Sequence, residues 1–318
     1  MSRADVDLAK SGPAPPSLIA RLRDNDLVAS FLSSKTTVAA GLVALILVVA
    51  GLAVPLIATT DPFDPAANFL MDSLTPPRFV AGGDPRFLLG TDDQGRDLWS
   101  AILYGLRISL MIGFLSVLLG GAIGVALGLI AGYAGGWIDS MIMRVADVQL
   151  TFPAILIALL LDGVAHALLQ KSSRKETAFL VLVVAIGLSF WVQYARTVRG
   201  STMVEKNRDY VQAARLIGLK PTRILVRHIL PNVMGPVLVI ATINLAIAII
   251  TEATLSFLGV GLPPTEPSLG TLIRIGQNFL FSGEWWIVAF PSLALAILVL
   301  SVNLLGDWLR DALNPRLK

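Results

Sequence analysis

The chain has 318 residues, of which 55% are hydrophobic and only 15% charged, and its mean hydropathy is +0.73. A soluble chain of this length needs about 25% charged residues to cover its cores, so 25 Lys and Arg with 22 Asp and Glu exclude a water-soluble protein. The apolar excess also excludes a disordered chain. The absence of cysteine removes disulfides, thiolate metal sites and Cys nucleophiles, and two histidines are too few for a His-rich metal centre.

In chain order, residues 1–35 read as a cytoplasmic tail, with Gly12-Pro13 and Pro15-Pro16 and a short amphipathic helix near Leu18–Leu27. A bilayer span needs about 20 apolar residues. Thr36–Thr60 is free of charge and too long for the core of a cleaved signal peptide, so it reads as a retained first span (36–60). An external loop, 61–104, rich in Pro and Gly, follows. Ile108–Ile138 is the second span. In it Gly120, Gly124, Gly128, Gly132 and Gly136 recur every four residues and lay one bare helix face open to close packing against another backbone. Val148–Leu161, continued past Asp162 toward Leu169, is expected as a third span. It leads into a basic stretch with Lys171, Arg174 and Lys175. Thr177–Ala195, Val233–Thr251 and Trp285–Gly306 are the remaining three. Between the last two lies a second external loop, Gly259–Glu284, with Pro263, Pro264 and Pro267. Trp285-Trp286 reads as an aromatic anchor at the membrane interface.

With the N-terminus inside, 17 of the 25 basic residues fall on inner segments, which favours both termini in the cytoplasm. The net charge of +3 thus reports loop topology, and no nucleic-acid partner is expected. Ionisable groups in or beside the spans are few: Asp147, Asp162, His166 and Glu252. An ion-driven carrier places acids near the bilayer centre, so this pattern disfavours one. No Gly-Lys dipeptide exists, hence no phosphate loop, and no Ser lies in a G-x-S-x-G context. No catalytic function is expected of the chain itself.

The largest inner polar segment, 199–232, has helical logic. Tyr210, Ala214 and Ile217 fall at i, i+4 and i+7, and Asp209 sits at the helix start, where the dipole favours an acid. Gly218 suits a left-handed stop. Pro221 suits the first turn of a second helix carrying Ile224, Leu225 and Ile229, which Pro231-Asn232 is expected to end. The result is an elbow of two helices held between two spans.

Asp209-Tyr-Val-Gln-Ala-Ala-Arg-Leu-Ile-Gly218 with Arg227-His-Ile-Leu-Pro-Asn232 resembles the EAA loop of permease subunits in binding-protein-dependent ABC importers. Gly90-Thr-Asp-Asp-Gln-Gly-Arg-Asp97, Leu103-Tyr-Gly-Leu-Arg-Ile-Ser-Leu110, Tyr133-Ala-Gly-Gly-Trp-Ile-Asp139, Trp191-Val-Gln-Tyr-Ala-Arg196 and Leu255-Ser-Phe-Leu-Gly259 extend the likeness. So does Asn303-Leu-Leu-Gly-Asp-Trp-Leu-Arg-Asp-Ala-Leu-Asn-Pro315. The motifs occur in order from about Phe31 to Pro315 and resemble the C-type permease of the dipeptide/oligopeptide/nickel family.

The resemblance implies an all-α integral membrane protein with about six transmembrane helices and type I ABC importer permease architecture, multi-pass in the bacterial plasma membrane. Its five-helix permease core would run over 105–308 and its cytoplasmic C-terminal tail over 309–318. It implies an ATPase-coupling elbow built from Asp209, Gln212, Ala213, Ala214, Gly218 and Pro231. The implied partners are a companion permease, two cytoplasmic ATPase subunits or domains and an external substrate-binding protein. ATP and Mg would sit on the ATPases, with no cofactor on this chain. Short peptides are the implied cargo, with nickel, glutathione or an opine as alternatives within the family and an ion-coupled carrier outside it. Two departures stand out. Gln212 replaces the family's usual Glu, which leaves Asp209 to supply any ion pair there. The basic connection 170–175 is also longer than expected, which points to external docking through Lys171, Arg174 and Lys175.

Overall fold

The computed structural model describes residues 26–62, 64, 68–168, 174–263 and 268–313; the side chains of 26–27, 162, 165–168 and 174–177 are not among those described. The amphipathic stretch near Leu18–Leu27 therefore lies outside the described part, apart from the backbone of its last two residues. So do Lys171, the side chains of Arg174 and Lys175, and the Asp162–His166 pair. The described residues form helices α1 (Asp26–Ser33), α2 (Lys35–Leu52), α3 (Val54–Ile57), α4 (Leu98–Ala134), α5 (Gly136–Leu150), α6 (Ala154–Leu168) and α7 (Arg174–Glu205). Then follow α8 (Asp209–Leu216), α9 (Pro221–Ile224), α10 (Leu230–Phe257), α11 (Leu269–Gln277) and α12 (Trp286–Ala312).

Among the described residues, five helical segments are long and apolar enough to cross a bilayer: Lys35–Leu52, Leu98–Ala134, Ala178–Glu205, Pro221–Phe257 and Trp286–Ala312. A sixth exists only as a bent pair. Gly136–Leu150 meets the segment from Ala154 at 88°, where a straight helix over 148–169 was expected. The break falls at Thr151–Pro153, because Pro153 lacks the N–H that would continue the ladder. Other helices outrun their charge-free cores. α4 starts at Leu98, because Asp97 caps it by accepting from the Ser100 amide, and it carries Arg107 within it. α7 runs ten residues past Ala195 and α12 six past Gly306. Hydropathy marks what lipid tolerates, whereas a helix ends where its backbone bonds end.

The centre of the bundle is α4 against α7, the most extensive helix pair, with α10 packed on both. α12 covers α10 and α2, and α6 lies along α7. The α4–α7 seam is built from glycine. A Cβ placed on Gly120 would stand 2.7 Å from the Gly187 carbonyl oxygen, on Gly124 2.4 Å from that of Trp191, and on Gly128 2.6 Å from that of Ala195. On Gly132 it would meet Thr202 Cβ at 2.7 Å. The two backbones thus touch over more than three turns, from Gly120 to Gly132, as small-residue faces allow in a medium where dispersion replaces hydrophobic drive. Gly136 does not belong to this face. It lies beyond the end of α4 as the first residue of α5, with φ +55° after Gly135 at +66°, and nothing within 4 Å of its would-be Cβ.

Candidate functional site

The elbow closes one end of the bundle. α8 is one short helix with Asp209 in its first turn and Arg215 in its last. It stops in a Schellman motif: Gly218 adopts φ +77°, its N–H donates to the Arg215 carbonyl, and the Leu219 N–H donates to that of Ala214 at 3.1 Å. Pro221 then opens α9 at its first position. The second arm does not end at Pro231. A π-helical turn, Leu225–Ile229, precedes it, and the Leu230 N–H bonds back to the Leu225 carbonyl. The wider turn takes up the proline's missing donor, so α9 and α10 run on as one rod from the elbow into the fifth span.

The two faces of α8 differ from the expected heptad-like set. Val211 and Ala214 are buried in the main core with Ile224 and Ile229. Ile217, expected on that face, is 75% exposed, and Leu216 is 88% exposed. The buried face is centred on Val211 and Ala214, so Leu216, two residues past Ala214, falls on the opposite side of the helix, while Ile217 is the C-cap, where the helix ends. Gln212 and Ala213 also face out, while Ala214 is filled by this chain's own core. Gln212 reaches the Lys206 carbonyl at 3.5 Å, and Asp209 makes no ion pair among the described residues. Tyr210 ties the elbow shut: its hydroxyl donates to Glu205 at the end of α7 and accepts from Asn232 Nδ2 at the start of α10, at 3.0 Å. Pro231 is exposed beside that bond. The elbow therefore presents Gln212, Ala213, Leu216 and Ile217 outward on a base fixed to two long helices.

The opposite end carries a clasp that composition did not reveal. Between Gly90 (φ +82°) and Gly95 (φ +75°), Asp92 accepts from the backbone amides of Gln94 and Arg96 and from Arg96 Nε at 2.6 Å. Both side chains are sealed, at 0% and 1% exposure. Asp97 caps α4 and takes the Thr59 hydroxyl from the end of the first span. Trp286 is buried and donates its indole N–H to the Thr91 carbonyl at 3.2 Å. It is thus a tie between α12 and the loop, while its neighbour Trp285 stays 42% exposed. The signal available for it is an i, i+4 Asp–Arg pair that straddles Gly95, with Gly90 just before it. α11, which the proline-rich 259–284 segment concealed, sits against α12 close enough that a Cβ on Gly276 would meet the Ile287 carbonyl carbon at 2.6 Å.

Glu252 is wholly buried on α10. It accepts from Ser109 of α4 at 2.7 Å and from Ser256 at 2.8 Å. A carboxyl so enclosed joins two helices. Hydroxyls of the same chain, not an open path, surround it.

A family model described as "Binding-protein-dependent transport system inner membrane component" matches residues 124–318. The dipeptide transport system permease protein DppC of Haemophilus influenzae is 40% identical over 257 residues, 81% of this chain and 83% of that protein. The di/tripeptide transport system permease protein DppC of Pseudomonas aeruginosa is 38% identical over 303 residues, 95% of each. Among solved structures, a chain of the MetNI methionine ABC transporter in inward-facing conformations is similar in fold. The TM-score is 0.52 at 19% identity, over 67% of this chain and 96% of that one. With several apolar spans, a closed elbow and these relatives together, the chain belongs to the multi-pass bacterial inner-membrane permease components of binding-protein-dependent ABC importers.

Proposed function

We propose that this permease forms half of a translocation path for short peptides and is driven through the α8 elbow by cytoplasmic ATPases. The observation that carries the reading is the outward face of α8: exposed Leu216 and Ile217 beside small Ala213, on a base tied to α7 and α10. Exposed apolar side chains next to a residue too small to obstruct suit insertion into a groove of another protein. The peptide cargo rests on the names of the relatives. A companion permease completes the pore, two ATPase subunits or domains bind ATP and Mg, and both chain termini lie on their side. A loaded binding protein docks on the opposite side, over the 61–97 and 259–284 segments. Closure of the ATPases on ATP then favours one of two arrangements of the spans. This chain contributes conduction and coupling, and the chemistry is the partners'.

The test is Ala213→Arg with Leu216→Asp in the complete transporter. Insertion in the membrane should persist, the ATPases should no longer co-purify, and labelled dipeptide uptake should vanish. Wild-type uptake by this variant refutes the coupling role. Uptake of nickel but of no peptide refutes the cargo. The basic 170–175 connection is proposed as an external docking point. Neutralising Lys171, Arg174 and Lys175 should weaken binding-protein docking most at low salt, and unchanged docking refutes it.

A further inference from the structure

The Tyr133–Asp139 motif has no part in the elbow's outer face, yet the fold brings it against the elbow's inner side. Three contacts tie this region to α8, to the α7–α8 link and to α7 in turn. The Arg215 guanidinium of α8 lies over the Tyr133 ring at 5.1 Å. Lys206, in the link between α7 and α8, donates to the Gly132 carbonyl at 2.8 Å. Arg199 of α7 grips Asp139 of α5 with two nitrogens, Nη2 to Oδ2 at 2.6 Å. Between the second and third contacts lies Gly135-Gly136, both at positive φ; among the described residues a Cβ on Gly135 would meet the Lys206 ammonium at 3.9 Å and one on Gly136 would meet nothing within 4 Å.

α5 is therefore a short rod with a joint at each end, the diglycine turn at 135–136 and the break before Pro153. Along its length it is bolted to α7: Asp139 to Arg199, Asp147 to Arg196 at 2.6 Å, and Gln149 to the Trp191 indole at 2.7 Å. A rod jointed at both ends passes on displacement only through what holds its middle and its near end. At the near end, the latch meets α8.

Resting on the coupling reading above, we propose that Tyr133, Arg215, Asp139 and Arg199 form an internal latch that passes elbow motion to the broken third span. These are positioning residues. The Tyr133–Arg215 contact fixes α8 to the end of α4 and the Asp139–Arg199 pair fixes α5 to α7; neither forms the outward docking face, so cutting the latch leaves the ATPases bound but disengaged. A cation over an aromatic ring and a bidentate Arg–carboxylate pair suit this task, because both define direction as well as attraction.

The experiment uses the whole transporter, with companion permease, ATPases and dipeptide-loaded binding protein, in proteoliposomes. It measures ATPase co-purification and dipeptide transported per ATP hydrolysed. Tyr133→Ala and Arg215→Ala should each lower that ratio about five-fold, and the double variant no further than the worse single. Tyr133→Phe, which keeps the ring, should hold the wild-type ratio. Asp139→Asn should lower it, and the exchange Asp139→Arg with Arg199→Asp should restore part of it. ATPase co-purification should stay at the wild-type level throughout. A wild-type ratio in Tyr133→Ala overturns the latch, as does a loss in Tyr133→Phe equal to that in Tyr133→Ala. Loss of ATPase co-purification in Tyr133→Ala also overturns it, in favour of direct docking. Failure of the coupling reading itself registers elsewhere, as unaltered uptake in the Ala213/Leu216 variant.

Discussion

Gly124 and Gly121 stand one turn apart on α4, and the structure assigns opposite signs to the same substitution at the two positions. Replacing glycine by alanine in a helix gains about 0.8–1 kcal/mol of propensity. At Gly121 the new methyl meets the Tyr194 ring at 3.8 and 3.9 Å, ordinary contacts, so Gly121→Ala keeps that gain. At Gly124 it would lie 2.4 Å from the Trp191 carbonyl oxygen and 2.5 Å from Tyr194 Cβ, neither of which can rotate away. Overpacking of this kind costs about 1–3 kcal/mol, which outweighs the gain. The two variants should therefore differ by about 2 kcal/mol, with Gly124→Ala below wild type and Gly121→Ala at or above it. Thermal unfolding of the purified permease pair in lipid nanodiscs checks the order; at about 2 °C per kcal/mol for a chain of this size, the gap is several degrees. Equal midpoints, or Gly121→Ala the less stable of the two, would refute a backbone-to-backbone seam.

Further outcomes follow from other sites. Arg96→Met leaves the Asp92 carboxylate sealed without its cation, and removing one member of a buried pair costs about 3–5 kcal/mol; faster proteolysis of the 70–97 loop reports it, and Asp92→Asn with Arg96→Met should lose less than Arg96→Met alone. Asp93 is held above the ordinary carboxylate range, first by burial and then by the Asp92 charge. Its ionisation therefore opposes the fold, with a cost absent in acid and growing as pH rises through the raised value. Asp93→Asn should match wild type in acid and exceed it in midpoint at neutral pH; a lower midpoint at neutral pH contradicts this. Gly218→Val should impair uptake through its φ of +77°, with about 1–2 kcal/mol of backbone strain and no clash, whereas Gly218→Asn, which visits that region, should retain it. Equal uptake in both would show that the left-handed stop is dispensable.

Much of the architecture is legible without coordinates because membrane helices are specified locally. About 20 apolar residues satisfy the bilayer and all their backbone bonds within one segment, which is why Thr36–Thr60 and Trp285–Gly306 stand out. The Gly218 stop and the Pro221 start are equally local. Errors arise where one signal is asked to report another quantity. Charge-free length missed the starts of α4 and the end of α7, since helices carry Arg107 and Arg199 without breaking. Proline was read as a stop at 231, but the π turn before it relieved the clash. At 153 no such turn intervenes and the helix breaks.

The sequence by itself determined the solvent, the rough place of five spans, the elbow and, through ordered motifs, the family. It did so because hydropathy, turn chemistry and motif order are properties of neighbouring residues. Tertiary structure alone decided that Ala214 faces inward and Leu216 outward, that Asp92 and Arg96 are sealed, that Glu252 takes serine hydroxyls from α4 and α10, and that Tyr133 receives Arg215. Each of these depends on which distant backbone comes within a few ångströms, and no local pattern encodes that distance.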